Sequence, residues 1–239
     1  MDGLNRLNEI ITSGADTVFF GGAGVSTESG IPDFRSVDGL YNTTYKYPPE
    51  TILSHGFFVS HTEEFYEFYK TKMIFLDASP NPCHHKLAEL ERKGVLSAVV
   101  TQNIDGLHQK AGSENVLELH GSVHRNYCTG CGRFYGVEAV LSGAGVPRCS
   151  CGAVIKPDVV LYGETLDDGV MAKAAGFIGR ARVLIIGGTS LGVYPAAGLC
   201  EYFRGDHIVL INKSVTNMDK NADLIIRDNI GEVFSRIAV

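Results

Sequence analysis

A chain of 239 residues with 44% hydrophobic and 20% charged residues has the make-up of a globular protein, long enough for one large domain with a smaller insert. Lysine plus arginine (21) against aspartate plus glutamate (27) leaves a net charge of −6, and no basic run marks a nucleic-acid surface. No apolar run approaches the roughly 20 residues that span a bilayer, and Met1 to Asn5 carry no basic region leading into an apolar core, so a cytoplasmic chain without a membrane partner is expected.

Leu4, Leu7, Ile10 and Ile11 recur at helical spacing, which predicts a short amphipathic helix over residues 2–13. Thr17 to Phe20 then read as a buried strand running into a glycine turn. Gly22 and Gly24 begin a G-x-G-x-x-G pattern, but Thr27 stands where its third glycine would be. Such a turn either supplies positive φ or lets a phosphate approach the backbone. Its continuation favours the second reading: Gly30-Ile31-Pro32 breaks any long helix, and Asp33-Phe34-Arg35 sets an acid, a ring and a cation beside the turn.

Residues 36–49 show neither helical nor strand period and read as a long, mobile loop, either a lid over a bound cofactor or a surface connection. From Ser60 the helical signal returns: Ser60 and Glu63 fit a capping box, and Phe65, Phe68, Tyr69, Met73 and Leu76 fall on one face. Pro82 suits the first residue of another helix, which carries Leu87 and Leu90 inward and stops at Gly94. The strand Leu96 to Val100 leads into Gln102, Asn103, Ile104 and Asp105, an amide pair and a carboxylate where an open α/β sheet holds its ligands. His120-Gly121 closes the extended segment from Val116 to Leu119; its imidazole is either a general base near neutral pH or a structural hydrogen-bond donor.

Cys128-x2-Cys131 and Cys149-x-Cys151 give four soft ligands in two knuckles, as a zinc ribbon requires. Four thiolates leave zinc no open position, so the metal is expected to be structural. The alternative, two disulfides, fits a reducing compartment poorly. Cys83 and Cys200 are left over; Cys83-His84-His85 could be a second metal site, but a buried thiol beside helix-surface histidines is the expected reading.

Pro157 to Glu164 read as an extended stretch ending in a turn. Met171, Ala174, Ala175 and Ile178 mark a helix, and Val183 to Ile186 a strand that ends in Gly187-Gly188-Thr189-Ser190, a second turn able to offer backbone N–H groups to phosphate. Ile208 to Ile211, ending at Asn212, and Leu224 to Ile226 are expected as further buried strands. Strands alternating with helices, with polar residues at strand ends, predict an α/β fold built on a parallel, doubly wound sheet.

With these motifs in order along nearly its whole length, the chain resembles the sirtuins, NAD-dependent protein deacylases, in their compact bacterial or archaeal form. The resemblance rests on Gly22-Ala23-Gly24-Val25-Ser26 through Phe34-Arg35, Gln102-Asn103-Ile104-Asp105, His120-Gly121, the four cysteines, Gly163-Glu164 and Gly188-Thr189-Ser190. It implies a Rossmann-like NAD domain (1–35, 80–122 and 155–239) and a smaller domain with the cofactor loop, a helical part and a zinc ribbon (36–79 and 123–154). It implies NAD contacts from Ala23, Thr27, Phe34, Arg35, Gln102, Ile104, Asp105 and His120, with Thr189, Ser190, Asn212 and Ile230 toward the phosphate and adenosine end. An acetyl-lysine peptide would enter as an added strand between Val160, Gly163 and Glu164 on one side and Val193 on the other.

By the same resemblance, Asp105 would accept from the nicotinamide amide and twist the ring. His120 would accept a proton through the ribose hydroxyls, Asn103 would order the ribose and a water, and Phe34 would cover the reactive face. The products would be free lysine, nicotinamide and O-acyl-ADP-ribose. Succinyl- and malonyl-preferring members resemble one another in a tyrosine and an arginine three residues apart in the loop after the first motif. Here no arginine occurs between Arg35 and Arg92, which predicts acetyl and similar neutral acyl groups. The expected form is a monomer. The rival readings are an NAD-dependent protein ADP-ribosyltransferase and a non-catalytic NAD-sensing module.

Overall fold

The structure, a computed structural model, describes residues 3–34, 36, 39–42 and 45–238. α1 (Gly3–Thr12) turns Leu7, Ile10 and Ile11 inward. β1 (Thr17–Gly21) is buried at every position, and its side chains alternate between two core layers, Phe19 into one and Val18 and Phe20 into the other. A helical segment of α2 (Pro49–Ile52), α3 (His55–Ser60) and α4 (Thr62–Lys72) follows, and then α5 (Pro82–Arg92), β2 (Leu96–Thr101), α6 (Leu107–Lys110) and β3 (Val116–Glu118). A small module comprises β4 (Gly121–Cys128), β5 (Phe134–Tyr135), α7 (Val137–Leu141) and β6 (Ile155–Val159). The chain closes with α8 (Asp168–Arg180), β7 (Val183–Gly187), β8 (His207–Ile211), β9 (Leu224–Ile226) and α9 (Ile230–Ser235).

Six strands form one parallel sheet in the order β3-β2-β1-β7-β8-β9. α1, α5 and α9 cover one face through Leu7, Leu87 and Phe234, and α8 with the 3-10 turn Ala196–Tyr202 covers the other. This is the doubly wound, Rossmann-like arrangement expected from the alternation of strands and helices. Strand order reverses direction about β1, whose neighbours are β2 and β7, so a crevice opens at the carboxyl ends of these central strands. β4, β5 and β6 make a separate antiparallel sheet in the order β5-β4-β6. A third core joins that module to the helical segment, with Phe65, Tyr66 and Tyr69 packed against Val123, Val140, Val159 and Leu161. The Tyr66 hydroxyl donates to the Ile155 carbonyl across this contact.

Several local expectations are corrected. Ser60 does not cap α4: it is the last residue of α3, a helix already capped by Ser54, which accepts from the Phe57 N–H at 3.2 Å. The Ser60 hydroxyl donates back to the Gly56 carbonyl, and α4 starts after His61 without a side-chain cap. Leu76 lies beyond α4 and is 42% exposed. Within 36–49, Leu40 to Asn42 form a 3-10 turn and Leu40 is buried, so that stretch is not wholly irregular. His84 is fully buried instead of lying on a helix surface, because the sharp start of α5 recruits it: its Nδ1 accepts from the Asn81 N–H while the Asn81 side chain caps the helix. β9 is an edge strand whose Leu224 and Ile226 pack on the α1 side of the sheet, while Ile225, on the opposite face, is turned outward. Among the described residues no helix is long and apolar enough to cross a membrane.

Candidate active site

The four polar segments found at strand ends converge. β1 delivers the first glycine turn, β2 delivers Gln102 to Asp105, β3 leads to His120, and β7 delivers Gly188 to Ser190, all to one end of the parallel sheet. They line a cleft of about 300 Å³, whose opposite wall comes from Phe34, Leu40, Tyr41 and Leu53 and from Val159 to Glu164. The two glycine turns touch: Gly24 N–H donates to the Gly188 carbonyl at 2.8 Å. A Cβ on Gly24 would stand 2.9 Å from the Gly188 Cα, and Gly188 itself has φ +58°. Only glycines allow the strand ends to meet this closely.

Hydrogen-bond directions on the polar wall follow from donor capacity. Ser26 Oγ donates to Asp105 Oδ2 at 2.7 Å and accepts from Asn103 Nδ2 at 3.0 Å, which fixes a chain Asn103→Ser26→Asp105. Asp105 Oδ1 accepts from the Leu107 N–H at 2.9 Å. Burial raises the Asp105 carboxyl above its ordinary value, and the Leu107 and Ser26 donors and nearby His124 offset part of that rise. Thr189 Oγ1 accepts from Gln102 Nε2 and from the Leu191 N–H, both at 3.1 Å, so its own proton is left for another acceptor.

His120 Nδ1 lies 3.0 Å from the Gln102 carbonyl oxygen. A carbonyl can only accept, so Nδ1 carries the hydrogen and Nε2 keeps the lone pair. Burial lowers this imidazole below its ordinary value against the opposing effect of the carbonyl, which favours the neutral ring with its Nε2 lone pair free.

Of the residues singled out in the sequence, Ala23, Phe34, Gln102, Asn103, Ile104, Asp105, His120, Thr189 and Ser190 line the cleft together, as do Val160, Gly163, Glu164 and Val193. Thr27, Asn212 and Ile230 are not among its lining residues. Thr27 Oγ1 donates to the Gly24 carbonyl, Asn212 Nδ2 donates to the Ser214 carbonyl, and Ile230 is 5% exposed in the core beside Gly187. Arg35 lies outside the described residues. The Glu164 carboxylate closes its own turn, accepting from the Leu161 N–H, Lys156 Nζ and His55 Nδ1. The sequence reading missed the link made by Ser26, although Ser26 stood inside the quoted motif, and it missed Lys72, the single lysine or arginine among the described lining residues.

The four cysteine sulfurs lie within 4.8 Å of one another, with Cys128 and Cys151 at 3.4 Å and Cys131 and Cys149 at 3.6 Å. A disulfide needs about 2.05 Å. Four sulfurs each about 2.3 Å from a tetrahedral zinc stand about 3.8 Å apart. Backbone N–H groups of Gly130 and Cys131 point at Cys128 Sγ, both at 3.4 Å, as a thiolate knuckle requires. The donor set fits structural zinc.

A Sir2 family model matches residues 22–195. The chain belongs to the Sir2 family. It is 56% identical over 241 residues to an NAD-dependent protein deacetylase of Clostridium acetobutylicum, covering 99% of this chain and 98% of that one. It is also similar to solved Sir2 structures. A Sir2 complex with p53 peptide and NAD+ superposes with a TM-score of 0.89 at 40% identity, covering 99% of this chain and 97% of that chain. A Sir2 bound to acetylated peptide gives 0.88 at 40% identity with the same coverage. In this Sir2 chain, the convergent cleft therefore lies in the motif-bearing part that the family model spans.

Proposed function

We infer that this Sir2 chain is an NAD-dependent protein deacetylase acting on acetyl-lysine proteins or peptides. The observation that carries the reading is the convergence at the strand ends of a half-buried carboxylate, an oriented amide and a neutral histidine with a free Nε2 lone pair. The site fits NAD by its chemistry: bare glycine backbone and hydroxyls on the sheet side, and an apolar wall opposite. When bound, NAD supplies a glycosidic carbon from which nicotinamide can leave and onto which the acyl group can pass.

The protein's own groups have distinct tasks in this reading. Asp105, its carboxylate held from two sides, accepts from the carboxamide, with Ile104 beside it. Asn103, tied through Ser26 to Asp105, presents its side-chain carbonyl to a ribose hydroxyl or a water. His120 takes a proton at Nε2 while Nδ1 stays on the Gln102 carbonyl. Phe34 excludes water. Ala23, Gln102, Thr189 and Ser190 line the cofactor's path, with Thr27, Arg35, Asn212 and Ile230 assigned toward it by family position alone. The peptide runs between Val160, Gly163 and Glu164 and Val193, through backbone hydrogen bonds in the main. The chain divides into the NAD lobe 1–35, 80–122 and 155–239 and the smaller lobe 36–79 and 123–154.

Neutral acyl groups are the preferred substrates in this reading, and acetyl-lysine turning over more slowly than succinyl-lysine would overturn that preference. A cytoplasmic monomer completes it, supported by a thiolate metal site that suits a reducing compartment. The test is nicotinamide release from NAD with acetyl-lysine peptide, succinyl-lysine peptide or no peptide, in wild type and His120→Ala. Release that depends on the acetyl peptide and collapses in the variant is expected. ADP-ribose retained on a protein with no deacylated product would instead identify a transferase, and NAD binding without turnover a sensor.

A further inference from the structure

We propose that the hydroxyl pair Tyr41–Tyr162 is a clasp across the mouth of the cleft, and that Tyr162 is a positioning residue that holds Phe34 over the reacting centre. The proposal rests on the deacetylase reading of the cleft. The two hydroxyl oxygens are 2.5 Å apart, although the residues are 121 positions apart in the chain. Both line the cleft, Tyr41 on the segment that follows the first glycine turn and Tyr162 on the segment that follows β6.

Each partner stands on anchored backbone. Tyr41 N–H donates to the Phe34 carbonyl and Leu40 N–H to the Asp33 carbonyl, both at 2.9 Å. On the other side, Tyr162 N–H donates to the Leu53 carbonyl, and its own carbonyl accepts from the His55 N–H, again at 2.9 Å. The Tyr41 ring packs on Phe34, with centroids 5.4 Å apart and planes tilted by 58°. A pull on the Tyr162 hydroxyl therefore reaches Phe34 through one ring contact and one backbone hydrogen bond.

The strength of such a link suits a closure that must also open. Tyr162 is 41% exposed, so water competes for its hydroxyl and the net contribution is small. Ligand entry can break the bond and re-form it, which a buried tether would resist. Removing either hydroxyl deletes the same bond, so the two losses should not add.

The test compares wild type, Tyr41→Phe, Tyr162→Phe and the double variant in two measurements. The first is hydrogen exchange at the Leu40 and Tyr41 amides. The second is nicotinamide released per acetyl-lysine consumed, which exceeds one when water reaches the reacting centre before the acyl oxygen. Faster exchange by about threefold or more in both single variants, a ratio rising by about twofold, and a double variant no worse than either single are expected. Unchanged exchange, an unchanged ratio or additive losses would overturn the clasp. If wild type releases no nicotinamide with acetyl peptide, the deacetylase reading falls, and the exchange response alone decides whether the clasp stands.

Discussion

Ser26 Oγ sits 2.7 Å from Asp105 Oδ2 and 3.0 Å from Asn103 Nδ2, so one hydroxyl from the loop after β1 orients two polar groups from the loop after β2. Ser26 is 1% exposed. Its truncation would leave a half-buried carboxylate and a buried amide each short of a partner, at a cost of about 1–3 kcal/mol for the buried amide. Ser26→Ala should lower kcat/KM for NAD by about tenfold or more with the peptide KM little changed. Steady-state nicotinamide release at saturating acetyl peptide checks this, and an unaltered kcat/KM would remove Ser26 from the site.

His120 sets the acid limb. Its folded-state value lies below the ordinary 6.5, so the imidazole stays neutral at pH values where an exposed histidine would be half charged. Activity should persist through pH 6.5 on the way down and fail at more acidic values. A kcat/KM profile in NAD, compared with His120→Ala, provides the measurement; a limb centred above 7 would contradict a half-buried neutral base.

The His84 and His108 rings meet in the interior, with centroids 4.7 Å apart and planes tilted by 57°. Burial lowers His84 to about 4 and holds His108 well below its ordinary value, each helped by a neighbouring histidine. Between these values and 6.5 the unfolded chain binds more protons than the fold. The stability from keeping these rings neutral is therefore complete above pH 6.5 and is lost as pH falls toward 4. The slope should reach about 1.4 kcal/mol per pH unit for each histidine. Urea melts at pH 7.5 and 5 should show this loss, and His108→Phe should flatten it; a pH-independent midpoint over that range would refute it.

The cysteine cluster predicts one zinc per chain. Chelation, or Cys131→Ser, should release the metal and unfold the β4–β6 module while the parallel sheet persists, because the two have separate cores. Metal analysis with circular dichroism tests this, and a chain that keeps its melting profile without zinc would show the metal to be dispensable.

Gly24→Ala places a methyl against the Gly188 backbone, which has no flexible end to move aside. A loss of about 1–3 kcal/mol in stability and a weakened NAD site are expected. Calorimetry with and without NAD gives both numbers, and wild-type values for the variant would mean that the turns can separate freely.

Much of the site was legible in the sequence because its groups sit at strand ends, where an apolar run followed by glycine and polar residues announces itself locally. Gln102, Asn103 and Asp105 follow β2 in this way, and Thr189 and Ser190 follow β7. The cysteine pairs were legible for a different reason: metal knuckles need fixed spacing. Ser60 misled because a helix capped by Ser54 already occupied it, and capping chemistry at one residue cannot show where the previous helix ends. His84 misled because a capping partner can be drawn inward, which periodicity does not register.

The sequence by itself determined the strands and helices of the parallel-sheet core, the Sir2 motifs and the four thiol ligands, all of which depend on residues close together in the chain. Only the tertiary structure decided that Ser26 meets Asp105, that Tyr41 meets Tyr162, that His120 presents Nε2, and that Ile230 lies in the core instead of lining the cleft. Those facts depend on strand order and on how the two cores pack, which bring together side chains that nothing in their local sequence pairs.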